Sequence, residues 1–388
     1  MSELLPLPYH CRVRDLVKSA EAVLWKWFES DAFGEEYADS VRLELLKSTY
    51  RMEPEAHPEL YAAAAEALRA LELDVPLAFY QAQQAGQMNA ALCFLPGEAH
   101  IILQGPILAT LSRAELTALA GHELAHYKLW TEHEGSHRTT MNLVEAMARH
   151  PGAEPSHLNT ARRLRRYTEI YADRGALSAS RDPLAAIACL VKVETGLTEV
   201  EPRAYLKQAE EVLQRGAAAG DHETHPEAFI RARALWLWHE QGEACDPEVA
   251  RLIHEVKSLE DLDLLDQVEV TALTRGALEV LLQPAWVCTE RVVAHARQFF
   301  PDFAPQPSAA RPNRERPPLR DALTEYLAYV LLDFAVVDSE LGERAIAHSF
   351  QVAAELGCGP AFEKAARKEL KLTQSEFQAL HRKLEARA

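Results

Sequence analysis

The chain of 388 residues contains no long apolar run. Its longest candidate, residues 184–191, is far shorter than the roughly 18 consecutive apolar residues that suggest a membrane-spanning helix. Residues 1–11 also lack the basic region followed by an apolar region that marks a secretory signal. We therefore expect a cytoplasmic protein that has no membrane span.

Cysteine and positive charge are also scarce. The six cysteines are scattered without a CxxC spacing, which predicts reduced thiols and not a disulfide framework. Lys and Arg together number 41 against 58 Asp and Glu, so the formal net charge is −17. This charge repels a phosphate backbone, and the one dense basic run, residues 162–166, has no interleaved aromatic residues. We expect no nucleic-acid partner.

The most informative stretch that is present is the motif His-Glu-Leu-Ala-His, from His122 to His126. On an α-helix the two histidines project from one face, one turn apart, and can share a metal ion. Glu123 cannot easily ligate the same ion, but it can take a proton from a water that the ion polarises. Ser112 as N-cap and Glu115 three residues later predict where this helix begins. The alternative is a pair of solvated or singly hydrogen-bonded histidines, because so short a pattern also arises by chance.

A second motif, Glu-Ile-Tyr-Ala-Asp, begins at Glu169. A catalytic zinc ion usually takes three protein ligands and leaves a fourth position for water, so Glu169 from a second helix would complete the set. Asp173 follows one turn later, where it can accept the free N–H of a ligating imidazole, that of His122. The alternative pairs both acids with the arginines of residues 162–166. Together the motifs predict one zinc ion per chain, bound by His122, His126 and Glu169.

These motifs and their neighbours resemble the HtpX-like and CAAX-prenyl-protease-like zinc metallopeptidases, a branch of the gluzincins. The resemblance extends over residues 55–240. Its matching segments are 57–61, 73–76, 89–90, 92–103, 112–115, 122–126, 169–174, 224–226 and Arg231. It implies that His225 stabilises the oxyanion of peptide hydrolysis and that Arg231 supports the local structure. For His225 the alternative is an ordinary residue at the start of a helix, before Pro226. Members of this family are usually membrane-embedded, and this chain departs from them in that respect.

The segment 91–103 contains β-formers around a Pro-Gly turn, which is typical of a hairpin. Its edge carries little charge, as is expected of a strand that pairs with a partner. We predict that an extended protein or peptide substrate binds along this edge. The predicted substrate-binding residues are Asn89, Ala90, Ala91 and Leu92. The alternative is that the hairpin only covers the metal-binding helix.

Proline marks a domain boundary, because six prolines lie between residues 301 and 318 and favour an extended linker. We expect an α+β fold that is mostly helical, with a gluzincin-type domain whose small β-sheet or hairpin lies over the metal-binding helix, followed by an all-α domain. The predicted regions are an N-terminal helical extension (1–50), the metallopeptidase domain (51–240), a helical connecting segment (241–300), the linker (301–318) and a C-terminal helical domain (319–388).

The C-terminal region resembles the tellurite-resistance TerB-like helical domain, mainly in the run from Tyr329 to Leu341. The resemblance implies metal-binding acids and a role in stress response or anti-phage defence. The acids at the matching positions are Asp333, Asp338 and Glu340. The alternative for Asp338 is an ordinary cap at a helix start.

The combined expectation is a zinc-dependent endopeptidase in which Glu123 is the general base. Its C-terminal helical domain is expected to regulate it, through a regulatory protein partner. The alternative function is a catalytically latent or inactive scaffold or sensor that acts through protein–protein binding.

Overall fold

The computed structural model describes residues 3–30, 35–83, 87–215, 227–253, 258–305 and 321–377. The chain divides into two compact units, Met1–Glu255 and Val256–Ala388. The fold is mostly helical with one small four-stranded sheet, which confirms the predicted class in this coarse form. None of the described helices is both long enough and apolar enough to cross a membrane.

The first unit contains the sheet and most of the helices. Its helices are α1 (Pro8–Ala20), α2 (Ala22–Ser30), α3 (Glu35–Ser48), α4 (Pro58–Ala70), α5 (Ile107–Thr110), α6 (Arg113–Thr131), α7 (Ser136–Arg149), α8 (Pro155–Ser180), α9 (Pro183–Thr195), α10 (Pro202–Gln214), α11 (Ala228–Gln241) and α12 (Asp246–Ile253). Its strands are β1 (Thr49–Met52), β2 (Leu77–Ala82), β3 (Asn89–Leu95) and β4 (Glu98–Gln104).

The strand order of the sheet is β1-β2-β4-β3, so β3 forms one edge among the described strands. β3 and β4 pair antiparallel from Asn89 opposite Gln104 to Leu95 opposite Glu98, and this confirms the predicted hairpin. Two residues, Pro96 and Gly97, connect the strands. Gly97 has a φ of 82°, a conformation that glycine adopts without steric cost.

Helix α6 begins where its sequence predicts. Ser112 is the N-cap, and its hydroxyl accepts the backbone N–H of Glu115 at 3.4 Å. The Glu115 carboxylate in turn accepts the backbone N–H of Ser112 at 2.7 Å, which completes a capping box. Lys192 of α9 donates to the same buried carboxylate at 2.9 Å. The start of α6 is therefore fixed both by its own sequence and by a neighbouring helix.

The second unit is an all-helical assembly in its described part. Its helices are α13 (Leu264–Leu281), α14 (Glu290–Phe299), α15 (Asp321–Val336), α16 (Gly342–Glu355) and α17 (Gly359–Glu369). Leu278 of α13 and Val292 of α14 share one apolar core with Leu331 and Phe362 of the later helices. The segment that the sequence analysis treated as a connection thus supplies two core helices, because its apolar stripe faces α15 to α17. Residues 306–318 of the expected linker lie outside the described residues.

Candidate metal centre

Helices α6 and α8 bring the three predicted ligands together. Nε2 of His122 lies 3.3 Å from Nε2 of His126. The carboxylate oxygens of Glu169 lie 3.6 Å from Nε2 of His122 and 3.7 Å from Nε2 of His126. Tetrahedral ligands held about 2.0–2.1 Å from a zinc ion are about 3.3 Å apart, so these atoms are spaced for one ion. Within the described ranges this is the only group of three such side chains with metal-binding spacing.

Asp173 and Arg231 contact the predicted ligands on the side away from their converging atoms. Nδ1 of His122 donates to Oδ1 of Asp173 at 3.1 Å, which leaves Nε2 of the same ring facing Glu169. Arg231 of α11 donates to Asp173 through Nε at 2.8 Å and through Nη2 at 2.6 Å. Its Nη2 also lies 3.3 Å from Oε2 of Glu169. One buried guanidinium therefore orients two carboxylates, and one of those carboxylates fixes the His122 ring.

Burial and neighbouring charges shift the pKa values of the four central side chains in different directions. Burial lowers the pKa of His126 to about 4, so that its ring is neutral at pH 7 and can ligate an ion. For His122, burial acts to lower the pKa, but the hydrogen bond and charge of Asp173 outweigh it and raise the pKa. Burial also acts to raise the pKa of Asp173, and the Arg231 charge outweighs it and lowers the pKa. Burial raises the pKa of Glu123 to about 6, close to the value of an effective general base at neutral pH.

A cavity of about 710 Å³ holds the ligand set and follows the edge strand β3. The four predicted substrate residues, 89–92, all line it, and the backbone N–H of Leu92 donates to the Glu123 carboxylate. The walls differ at the two ends. Helices α6, α7 and α8 supply Trp130, Met141, Glu145, Arg165 and Thr168 beyond His126. At the other end α9 supplies Ala186, Cys189, Leu190, Val193 and Glu194.

Residues 54–238 match the model of peptidase family M48. The match spans the hairpin, helices α6 and α8 and most of α11, and it supports a metallopeptidase of that family. It agrees with the extent of the resemblance seen in the sequence. Comparisons with curated proteins and with solved structures gave no match. The TerB-like resemblance of the C-terminal region lies outside the matched residues and stays a prediction.

Two glycines that the sequence analysis overlooked set the distance between helices α6 and α8. A Cβ added to Gly121 would lie 2.5 Å from Cβ of Ala179 and 2.7 Å from the carbonyl oxygen of Gly175. A Cβ added to Gly175 would lie 2.3 Å from Cβ of Ala125. Both separations are too short for real atoms, so only glycine permits this crossing. An isolated glycine within a helical pattern was the signal available in the sequence.

The remaining residues singled out in the first unit lie in different places. Arg165, from the basic run that offered an alternative pairing for the acids, donates to Glu145 of α7, with Nη2 2.6 Å from Oε2. Asp173 instead pairs with Arg231. His225 lies outside the described residues, and its role in stabilising the oxyanion remains a prediction. Cys189 and Glu194 line the cavity without having been expected there.

Proposed function

We propose that this protein is a zinc-dependent endopeptidase that cleaves extended peptide segments. The observation that carries the proposal is the convergence of two imidazole nitrogens and one carboxylate on one point, with Glu123 beside them in the same cavity. Two histidines and one glutamate are a donor set typical of catalytic zinc. The family match supports a peptidase independently of this geometry.

The proposed ligands are His122, His126 and Glu169. When bound there, zinc would lower the pKa of a water toward neutrality and polarise the substrate carbonyl. Glu123 accepts the proton of the attacking water and delivers it to the leaving amine. Burial raises the pKa of Glu123 above its ordinary value, which favours the protonated form that must later deliver the proton.

The edge strand β3 is proposed to hold the substrate. Because β4 pairs with β3 on one side, main-chain groups of alternate β3 residues point away from β4. A peptide in extended conformation can pair with these groups while its scissile carbonyl lies beside Glu123. Recognition through the main chain places little demand on the substrate sequence, so side-chain preference must come from the cavity walls.

The proposal is tested by metal analysis together with hydrolysis of fluorescently labelled casein. The wild type and Glu123→Gln should each contain one zinc ion per chain, because Glu123 is not a ligand. Hydrolysis by Glu123→Gln should fall by about 10²- to 10⁴-fold, the usual contribution of a general base. Glu199→Gln, an exposed change outside the cavity wall, serves as the control.

Normal turnover by Glu123→Gln would remove that residue from the proposed role. A purified wild type that neither contains nor takes up zinc would remove the whole mechanism. An inactive scaffold is not favoured by the comparisons. We also propose that the C-terminal helices regulate the peptidase. The casein measurement uses the full-length chain and therefore tests whether the peptidase is active in the presence of these helices.

A further inference from the structure

The edge strand β3 has a defined direction relative to the two ends of the cavity. Just before the strand, Nε2 of Gln87 donates to the backbone carbonyl of Glu194 in α9 at 3.1 Å. Near the end of the strand, the ring of Phe94 lies 5.8 Å from that of Trp130. The strand therefore begins at the α9 end of the cavity and runs toward the Trp130 end.

A substrate that pairs antiparallel with β3 runs the opposite way, and antiparallel pairing is the more stable and the more common arrangement. Its chain enters at Trp130, passes Glu123 near Leu92 and leaves beside α9. The residues that follow the scissile bond thus lie at the α9 end. At about 3.4 Å per residue, the distance along β3 from Leu92 to Asn89 corresponds to about three substrate residues.

When the charges of the candidate metal centre are added up, one carboxylate at the α9 end of the cavity has no positive charge left to balance it. A divalent ion and Arg231 together balance Glu123, Glu169 and Asp173. Glu194 is then a surplus negative charge on the wall, and its side chain is 42% exposed. Its carboxylate lies 3.5 Å from Nη1 of Arg231, whose Nε and Nη2 both donate to Asp173.

The acid at the opposite end of the cavity is in a different state. The side chain of Glu145 is only 15% exposed, and Arg165 donates to it through both Nε and Nη2. Arg149, one turn away on α7, adds a second positive charge 3.4 Å from the same carboxylate. The negative charge of Glu145 at the Trp130 end is thus neutralised by arginines. The negative charge of Glu194 at the α9 end is not neutralised in this way.

We infer that Glu194 selects a basic side chain, lysine or arginine, at the second or third substrate residue after the scissile bond. This inference rests on the proposed peptidase function and adds a substrate class to it. The half-exposed carboxylate can accept an ammonium or guanidinium group from an extended chain without being buried unpaired. Because the site is open to solvent, we expect a moderate preference that salt weakens.

The test is cleavage of a proteome-derived peptide library by the zinc-loaded full-length chain, with cleavage sites aligned by mass spectrometry. Wild type should enrich lysine and arginine at the stated positions by up to about fivefold. Glu194→Gln should flatten the preference, and Glu194→Lys should shift it to aspartate and glutamate. Glu199→Lys makes the same change of net charge five residues away, outside the cavity wall, and should leave the wild-type profile unchanged.

A second arm measures binding without hydrolysis. The immobilised Glu123→Gln variant should retain basic peptides from the same library. The double variant, which carries both Glu123→Gln and Glu194→Lys, should not retain them. Retention that follows Glu194 while wild type cleaves nothing would overturn the proposed function and the positions counted from the scissile bond, and would leave Glu194 only as a contact for basic side chains. Cleavage or retention with no basic preference, or a preference that Glu194→Lys and Glu199→Lys change equally, would overturn the inference and leave the peptidase standing.

Discussion

Two buried aspartates, one in each unit, show how the same residue type serves different ends. The carboxylate of Asp173 accepts hydrogen bonds from the imidazole of His122 in α6 and from the guanidinium of Arg231 in α11. Asp338 accepts the backbone N–H of Glu340 at 3.1 Å and the Thr289 hydroxyl at 2.7 Å. The first aspartate is held by charged or titratable groups from two other helices. The second caps its own turn and binds the N-cap residue of α14, with the Arg291 guanidinium 3.9 Å away. Burial of an acid therefore does not by itself indicate a metal site.

The neighbouring acids repeat this contrast. Glu169 faces two imidazole nitrogens at 3.6 and 3.7 Å. Asp333 of the second unit lies 2.5 Å from a single one, Nε2 of His295. A metal site needs several donors around one point, and among the described residues only the first unit provides them.

The largest expected effect is a loss of zinc affinity when Glu169 of the first unit is removed, compared with removal of Asp333 of the second unit. Glu169→Ala should weaken zinc binding by more than about 100-fold, because loss of a ligand exceeds the 10- to 100-fold cost of losing a residue that orients one. Asp333→Ala is the matched change in the second unit and should leave zinc affinity unaltered. Competition with a chromophoric chelator measures both, and equal losses in the two variants would erase the contrast.

The two buried aspartates provide a finer comparison. Asp173→Asn should lower zinc affinity or activity by about 10- to 100-fold, because it weakens both the Arg231 pair and the bond that orients His122. Asp338→Asn should change neither quantity and should cause only a small loss of stability. If Asp173→Asn left the zinc affinity intact, Asp173 would be a structural partner of Arg231 and nothing more.

The helix crossing can be tested with a pair of glycines. Gly175→Ala places a Cβ 2.3 Å from that of Ala125, so we expect a loss of about 1–3 kcal/mol in unfolding free energy together with weaker zinc binding. Gly276→Ala in α13 meets nothing within 4 Å and should stabilise its helix by up to about 1 kcal/mol. Denaturant unfolding and the chelator assay are the measurements. Tight zinc binding by Gly175→Ala would show that α6 and α8 tolerate a wider crossing.

Acid should destabilise the first unit through buried histidines. Burial lowers the pKa of His10 to about 3 and that of His137 to about 4. The unfolded chain takes up these protons near pH 6.5, so stability is lost as the pH falls below that value. His10 alone should cost about 2 kcal/mol between pH 7 and pH 5. Urea unfolding at both pH values should show a smaller difference in His10→Gln, and an unchanged difference would contradict this account.

The local features of the fold were predictable where one short segment contains all the causes. Ser112 and Glu115 cap α6 through their own hydrogen bonds, and Pro96 and Gly97 turn the hairpin whose strands flank them. Helical spacing placed His122 and His126 on one face. In contrast, the assignment of α13 and α14 to the core of the second unit depends on which helices their apolar faces meet. The spacing of apolar residues within those two segments does not show which helices they will contact.

By itself, the sequence determined the chemistry available: a one-turn pair of imidazoles, a carboxylate beside them, and a second acidic motif with the same helical spacing. Only the tertiary structure decided that Glu169 reaches the histidines and that Arg231 pairs with Asp173. It also decided that Glu194 stands on the cavity wall. The physical reason is that helical periodicity fixes neighbours within one turn, whereas contacts between helices depend on how closely they can pack. Here that distance is set by the missing side chains of Gly121 and Gly175.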